Sequence, residues 1–340
     1  MFRSRYSRQV LFLEVGPAGQ EKLSGSKAVV VGLGALGTGV AELLARAGVG
    51  SIRLIDRDYV EESNLGRQSL YDEDDCRQML PKAVAAARRL QRVNSEVDYE
   101  PQVQDLSARN AEEAIRGASV VVDGTDNFET RYLLNEACLK NGIPWVYGAC
   151  VGSTGMTFTI LPHRGPCFRC FLPTVPAPGV LPTCDTAGIL GPAAAAVAAL
   201  EVGQALRVLL SKVDESCTLL KYLDVWGGEL LSLPLARNQD CPCCVRGEFP
   251  YLEGSAGSNT TVMCGRDMVQ VVPGTPVALS LSEVADRLRR AGTVTRNEFL
   301  VKAVVDDQVE LIVFPDGRAL VKGTREAGAA RAVYARYLGM

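Results

Sequence analysis

The feature that most constrains this chain is Gly32-x-Gly34-x-x-Gly37, set directly between an apolar run and a helical one. Residues 27 to 37 read KAVVVGLGALG, and TGVAELLARAGVG continues with helical spacing until Gly48. Glycines in a strand-to-helix turn let the backbone approach a phosphate. The helix N-terminus adds unpaired N–H groups and a dipole that favours an anion. Ala35 lies inside the turn and is grouped with Gly32, Gly34 and Gly37 as nucleotide-binding. The next apolar run, SIRLID, ends at Asp56, 22 residues after Gly34, where a carboxylate can hold ribose hydroxyls. Tight strand–helix packing alone also uses glycines, but the partner aspartate favours the nucleotide.

Apolar runs and helical stretches keep alternating after Asp56: KAVAAARRLQRV behind Pro81, a polar strand around DYEPQVQ, the apolar ASVVVDGTD, the helix FETRYLLNEACLKNG and the strand PWVYGACVG. Such alternation predicts an α/β fold, a Rossmann-like, mostly parallel sheet covered on both faces. STGMTFTILP, CTLLKYLDVW and ELLSLPL predict an antiparallel extension, the last two turned by Gly227 and Gly228. A Gly/Ala-rich helix is expected over 188–211. Four prolines in 171–186 predict a mobile crossover loop. These readings place a nucleotide-binding domain at 1–250, a linker at 251–260 around EGSAGSNT, and a small α+β domain at 261–340.

A dinucleotide and a hydride-transferring, NAD-dependent oxidoreductase remain compatible with the glycine turn and Asp56 alone. The residues that follow argue otherwise: Asp58, then SNLGRQ with Asn64 and Arg67, then Lys82, then TDN with Asp126 and Asn127 at the end of a strand. An Arg and a Lys can hold a polyphosphate tail, and a carboxylate can hold its magnesium. In open parallel sheets, ligands bind beyond the strand C-termini, where Asp56, Asp58 and Asp126 are all expected.

At this point the sequence closely resembles the ThiF and MoeB family, bacterial relatives of ubiquitin-activating enzymes, over roughly residues 3 to 250. The matching pieces are RYSRQ, VVGLGALG, AGVGSIRLIDRDYVEESNLGRQ, PKAVAA, DGTDNFETRYLLN, CFRC, TCDTAGILGP and CPCC. The resemblance implies adenylation of the C-terminal glycine carboxylate of a ubiquitin-like sulfur carrier ending in Gly-Gly, with ATP and magnesium. It implies that Asp56 holds the ribose, that Asn64, Arg67 and Lys82 hold phosphates, and that Asp126 supports magnesium and the reaction. It further implies that Arg8 reaches a neighbouring subunit's ATP site, so a homodimer is expected. A cysteine desulfurase or another persulfide donor is an expected further partner. A peptide or a carrier for transfer-RNA thiolation is an alternative client, and a non-catalytic scaffold is the alternative that the intact charged set opposes.

Eleven cysteines in a long chain whose polar, arginine-bearing start lacks a secretory pattern favour metal or thiol chemistry over disulfides. Cys167-Phe-Arg-Cys170 and Cys241-Pro-Cys243-Cys244 form two C-x-x-C pairs about 70 residues apart, a spacing suited to a closed tetrahedral zinc site. A redox pair is the rival reading, without the surrounding thioredoxin-like pattern. The resemblance assigns Cys167, Cys170, Cys241 and Cys244, with Cys243 an adjacent thiol able to replace one. Cys184 lies in the proline-rich segment ahead of a helix, a setting for a nucleophile. A net charge of −3, with no long basic run and no apolar stretch of about 18 residues, points away from nucleic acid and membrane and toward the cytoplasm.

Overall fold

The computed structural model describes residues 4–176, 180, 182–256, 260–263, 267–273, 277–306 and 309–339. It divides into two compact units, 1–257 and 258–340.

In the first unit the strands are β1 (Lys27–Val31), β2 (Ser51–Asp56), β3 (Asp98–Val103), β4 (Val120–Asp123), β5 (Trp145–Val151), β6 (Thr154–Ile160), β7 (Leu220–Asp224) and β8 (Glu229–Leu233). They form one sheet in the order β3-β2-β1-β4-β5-β6-β7-β8. Pairing is parallel from β3 to β5 and antiparallel from β5 to β8. The order runs outward from β1 in both directions, so the chain switches sides at β1 and β4. That leaves a crevice beyond the C-terminal ends of these two strands. All four residues of β4 are buried, as expected for a strand covered on both faces.

Helix Ala35–Ala47 starts at the glycine turn and ends on Gly48 in the left-handed conformation. Helix Gly191–Leu209 crosses β5 and β6. The sheet accommodates it with glycines: a Cβ on Gly155 would lie 2.2 Å from Val197 Cγ2, and one on Gly148 2.2 Å from Glu201 Oε1. It is the one helix among the described residues long and apolar enough to cross a membrane, yet half of it is buried within the protein. Helix Phe128–Lys140 is buried from Arg131 to Leu139. Tyr132 stacks on Tyr251 and meets Phe168 edge-on, and Trp145, Tyr147 and Phe158 extend that aromatic cluster.

Two segments differ from the sequence reading. Within the proline-rich stretch, Cys184–Ala187 forms a helical turn capped by the Thr183 hydroxyl, while residues 177–179 and 181 lie outside the described residues. Tyr251 and Leu252, inside the stretch read as a linker, donate their N–H groups to Glu136 Oε2 at 2.8 and 2.9 Å and pack into the first unit's core. Burial pushes the Glu136 carboxyl up to about 7.

The second unit is an antiparallel sheet of β9 (Thr260–Met263), β10 (Met268–Val271), β11 (Thr293–Arg296), β12 (Val301–Asp306), β13 (Val309–Val313) and β14 (Ala319–Lys322), in the order β11-β12-β13-β14-β10-β9. Helices Leu281–Leu288 and Ala327–Leu338 press Val284, Leu288, Tyr334 and Leu338 onto one face of it. Cys264, which opens this region in the sequence, lies outside the described residues.

Candidate active site and cysteine cluster

The glycine turn is built by three backbones in contact. Gly32 has φ +83°, a region closed to most side chains, and a Cβ there would lie 2.6 Å from Gly124 C. A Cβ on Gly37 would sit 1.8 Å from Gly32 O, and one on Gly124 2.2 Å from the same oxygen. Gly34 is different: its missing Cβ would meet only Gly124 O, at 3.9 Å. Gly34 caps helix Ala35–Ala47 without a side-chain cap. Space above Gly34 and uncapped N–H groups suit a phosphate.

Asp56, at the end of β2, braces this turn. Its Oδ2 accepts from Leu33 N at 2.6 Å and its Oδ1 from Asp58 N at 2.7 Å. Each oxygen retains a lone pair for a ribose hydroxyl. Burial raises its carboxyl above the usual range, against the opposing pull of Lys82. Across from it, Tyr71 donates its buried hydroxyl to Leu33 O at 2.8 Å and to Lys82 O at 3.3 Å. The Leu33 peptide, between two of the motif glycines, is therefore held at both ends.

Lys82 opens helix Lys82–Val93 directly after Pro81, and its Nζ lies 2.8 Å from Asp58 Oδ2 with both side chains buried. Asn64 is fully buried; its Oδ1 accepts from Glu61 N at 3.1 Å, while its Nδ2 has no hydrogen-bond partner. Arg67 is half-buried and donates to Ser63 O at 2.7 Å. The start of helix Gly191–Leu209 comes beside it, where a Cβ on Gly191 would lie 3.9 Å from Arg67 Cα.

The end of β4 supplies the opposite wall. Asp123 is fully buried and accepts from Thr125 N and Thr125 Oγ1 at 2.8 and 2.6 Å. Arg131 reaches Asp123 Oδ2 at 3.2 Å, Thr125 O at 2.6 Å and Gly148 O at 3.1 Å. These bonds shape the turn that leaves Asp126 exposed, while Asn127 caps the next helix by accepting from Thr130 N at 2.9 Å. Arg57 pairs with Asp105 at 3.1 Å and lies in the field of Asp126, Asp58 and Asp56. The structure thus gathers Asp56, Asp58, Lys82, Asp123 and Asp126 around one crevice mouth.

A profile of the ThiF family matches residues 6–243. The sulfur carrier protein ThiS adenylyltransferase of Bacillus subtilis is 46% identical over 338 residues, covering 98% of this chain and 99% of that protein. The chain belongs to the ThiF family. The SAMP-activating enzyme E1 of Haloferax volcanii is 40% identical over 249 residues, 73% of this chain and 91% of its own. Among solved structures, E. coli MccB with ATP superposes with a TM-score of 0.62 at 23% identity, covering 71% of this chain and 75% of that one, a likeness of fold.

This ThiF-family chain also brings its two cysteine pairs together. The sulfurs of Cys167, Cys170, Cys241 and Cys244 all lie within 4.8 Å of one another. Three of the separations are 3.9 Å (Cys167–Cys170), 3.7 Å (Cys167–Cys241) and 3.6 Å (Cys170–Cys244). A tetrahedron with bonds of ~2.3 Å to sulfur has edges of about 3.8 Å, so the quartet fits zinc. Cys243 is not in the quartet; its sulfur accepts from Asn135 Nδ2 at 3.2 Å.

Arg8 is exposed on the short helix Ser7–Val10, next to Gln9, whose Nε2 donates to Ala47 O at 2.8 Å. Ala47 ends the helix that Ala35 begins, so Arg8 is anchored about 20 Å along that helix from its own glycine turn. The backbone of Cys184 starts the turn Cys184–Ala187; its side chain lies outside the described residues. Tyr71, Arg57, Arg131 and Asn135 are missing from the sequence reading as individual residues. The apolar flank of Tyr71 in SLYDED carries no motif, and Arg131 and Asn135 appear there only as letters of FETRYLLN.

Proposed function

We propose that this chain is the ATP-dependent adenylyltransferase of a ubiquitin-like sulfur-carrier protein ending in Gly-Gly. The observation that carries this reading is the end-to-end match to the Bacillus subtilis enzyme, combined with a crevice in which Lys82 pairs with Asp58. The carrier's C-terminal carboxylate attacks the α-phosphorus of ATP, the bond to the bridging oxygen breaks, and pyrophosphate leaves. The product is a carrier–AMP mixed anhydride.

Each role is supported by the chemistry of the residue and its place in the crevice. The N–H groups beyond Gly34 and Ala35 cradle phosphate, and the free lone pairs of Asp56 take the ribose. Lys82, Arg67 and the orphan amide of buried Asn64 face the polyphosphate. Fixed positive charge in a partly dry crevice stabilises the transition state without reorganisation. Asp126, with Asn127 capping the helix behind it, is the exposed carboxylate suited to hold magnesium. A magnesium ion held by Asp126 would neutralise charge on the triphosphate. Arg8 faces away from its own crevice and completes that of a second copy, which makes the working form a homodimer.

The cysteine quartet holds structural zinc, supported by its sulfur separations. We assign Cys184 to the step after adenylation, where its thiolate attacks the acyl-adenylate carbonyl and forms a thioester as AMP leaves; a persulfide from a cysteine desulfurase or another donor then displaces the Cys184 thiolate, and a second thiol reduces the resulting S–S bond to release the thiocarboxylate. The expected compartment is the cytoplasm.

The deciding experiment mixes the purified protein, ATP, magnesium and a Gly-Gly-ended carrier, and reads ATP–pyrophosphate exchange together with the carrier–AMP mass. Exchange that depends on the terminal glycine carboxylate is expected. Exchange equal with a carrier lacking its final glycine overturns the reading. A Cys184→Ser enzyme should keep exchange and lose the acyl-enzyme species.

A further inference from the structure

The two cysteine turns come from segments distant in sequence, and a single buried side chain touches both. Asn135 is fully buried on helix Phe128–Lys140. Its Oδ1 accepts from Phe168 N at 2.9 Å, inside the turn between Cys167 and Cys170. Its Nδ2 donates to Cys243 Sγ at 3.2 Å, inside the turn between Cys241 and Cys244. The amide can face only this way, because reversal would set its NH2 against the Phe168 N–H, donor against donor.

Each turn fixes its own two sulfurs through its backbone. Cys170 N donates to Cys167 O at 3.0 Å, and Val245 N and Arg246 N donate to Cys241 O at 3.2 and 3.1 Å. These bonds do not set one pair against the other. Across the pairs the sulfurs meet through weak thiol contacts, Cys167–Cys241 at 3.7 Å and Cys170–Cys244 at 3.6 Å, so a stronger link is needed to hold the pairs at ligand distance before metal arrives.

We propose that Asn135 is a positioning residue for the metal site: it ties the two cysteine turns together in register, using Cys243 as its handle on the second. Cys243 is thereby the attachment point of the second turn rather than a spare ligand. The same helix carries Arg131, one turn earlier, which holds Asp123 and Thr125 at the crevice. One rigid element therefore spans the cysteine cluster and the adenylation site. This inference rests on the zinc reading given above.

The test uses the full-length zinc-loaded protein and follows zinc transfer to a coloured chelator, with circular dichroism to verify folding. Wild type, Asn135→Ala, Cys243→Ala, Cys243→Ser and the Asn135→Ala/Cys243→Ala double variant are compared. Loss of groups that orient metal ligands typically weakens a site about 10–100-fold. Asn135→Ala and Cys243→Ala should each release zinc at least about tenfold faster. The double variant should be no faster than Asn135→Ala, since both remove one link. Cys243→Ser keeps an acceptor and should stay close to wild type. If Asn135→Ala does not fold, the contrast between Cys243→Ala and Cys243→Ser carries the test. Zinc in the wild type with equal release from all folded variants overturns this inference alone. A wild type that purifies without zinc overturns the zinc reading, and this inference with it.

Discussion

Asp58 and Lys82 form a buried ion pair of 2.8 Å at the mouth of the crevice, joined a second time by the bond from Lys82 N to Asp58 O at 2.9 Å. The backbone bond places the lysine; the carboxylate aims its Nζ. Removing the lysine takes from buried Asp58 the cation that sits 2.8 Å from its Oδ2.

Lys82→Ala should therefore abolish exchange and also destabilise the protein by about 3–5 kcal/mol, the usual cost of an orphaned buried charge. The double variant Lys82→Met/Asp58→Asn should regain much of that stability and none of the exchange. Chemical denaturation run beside the exchange assay checks both. A stable Lys82→Ala protein would mean that solvent reaches Asp58.

Tyr71→Phe removes one hydroxyl and leaves the carbonyls of Leu33 and Lys82 without that donor. A stability loss of about 1–3 kcal/mol is expected. Because the lost bond holds the glycine turn rather than the reacting atoms, KM for ATP should rise several-fold while kcat stays within about twofold. Initial-rate kinetics at saturating carrier separate the two, and a fall confined to kcat would contradict this role.

Glu201 is fully buried, and neither of its oxygens has a hydrogen-bond partner. Burial pushes its carboxyl well above the ordinary value of 4.5, with Asp123 adding to the rise and Arg131 opposing it. The folded state binds this proton more tightly than the unfolded one. Its stabilising contribution is thus complete below about pH 4.5 and is lost as pH rises toward the folded-state value. The slope is at most about 1.4 kcal/mol per pH unit. Glu201→Gln keeps the shape and removes the titration, so its stability relative to wild type should improve as pH rises. A constant difference between the two proteins from pH 5 to 8 in thermal unfolding would contradict the assignment.

Arg8→Ala and Asp126→Ala should each lose exchange while remaining folded. Mixed dimers of the two should recover up to about a quarter to a half of wild-type activity, since one crevice in each heterodimer regains both residues. Co-expression with two different tags isolates the heterodimer, and an inactive verified heterodimer would exclude the sharing of Arg8.

The legible parts were those where local chemistry and tertiary position coincide. Gly32 and Gly37 sit between a strand and a helix because the packed backbones of Gly32, Gly37 and Gly124 admit nothing larger, while Gly34 leaves the helix start open; together they show as three glycines in sequence. The C-x-x-C pairs were equally visible, but the choice of Cys244 over Cys243 depends on Asn135, which is distant in sequence and contributes no periodicity. Helix Phe128–Lys140 is buried over most of its surface, so its polar residues Arg131, Asn135 and Glu136 break the amphipathic pattern from which burial is inferred. Glu201 is hidden for the same reason, in an alanine-rich helix whose packing depends on glycines in β5 and β6.

The mutual contact of Gly32, Gly37 and Gly124 also limits how this crevice can change. Each glycine is held small by another's main chain, so enlarging any one pushes on the backbone of a neighbouring segment. Single substitutions there lead only to damaged proteins, and a route to a different nucleotide through this turn requires concerted replacement. The surrounding side chains, Asn64, Arg67 and the rim near Gly191, carry no such interlock. Changes of substrate choice in this scaffold are therefore easier at the rim than in the turn.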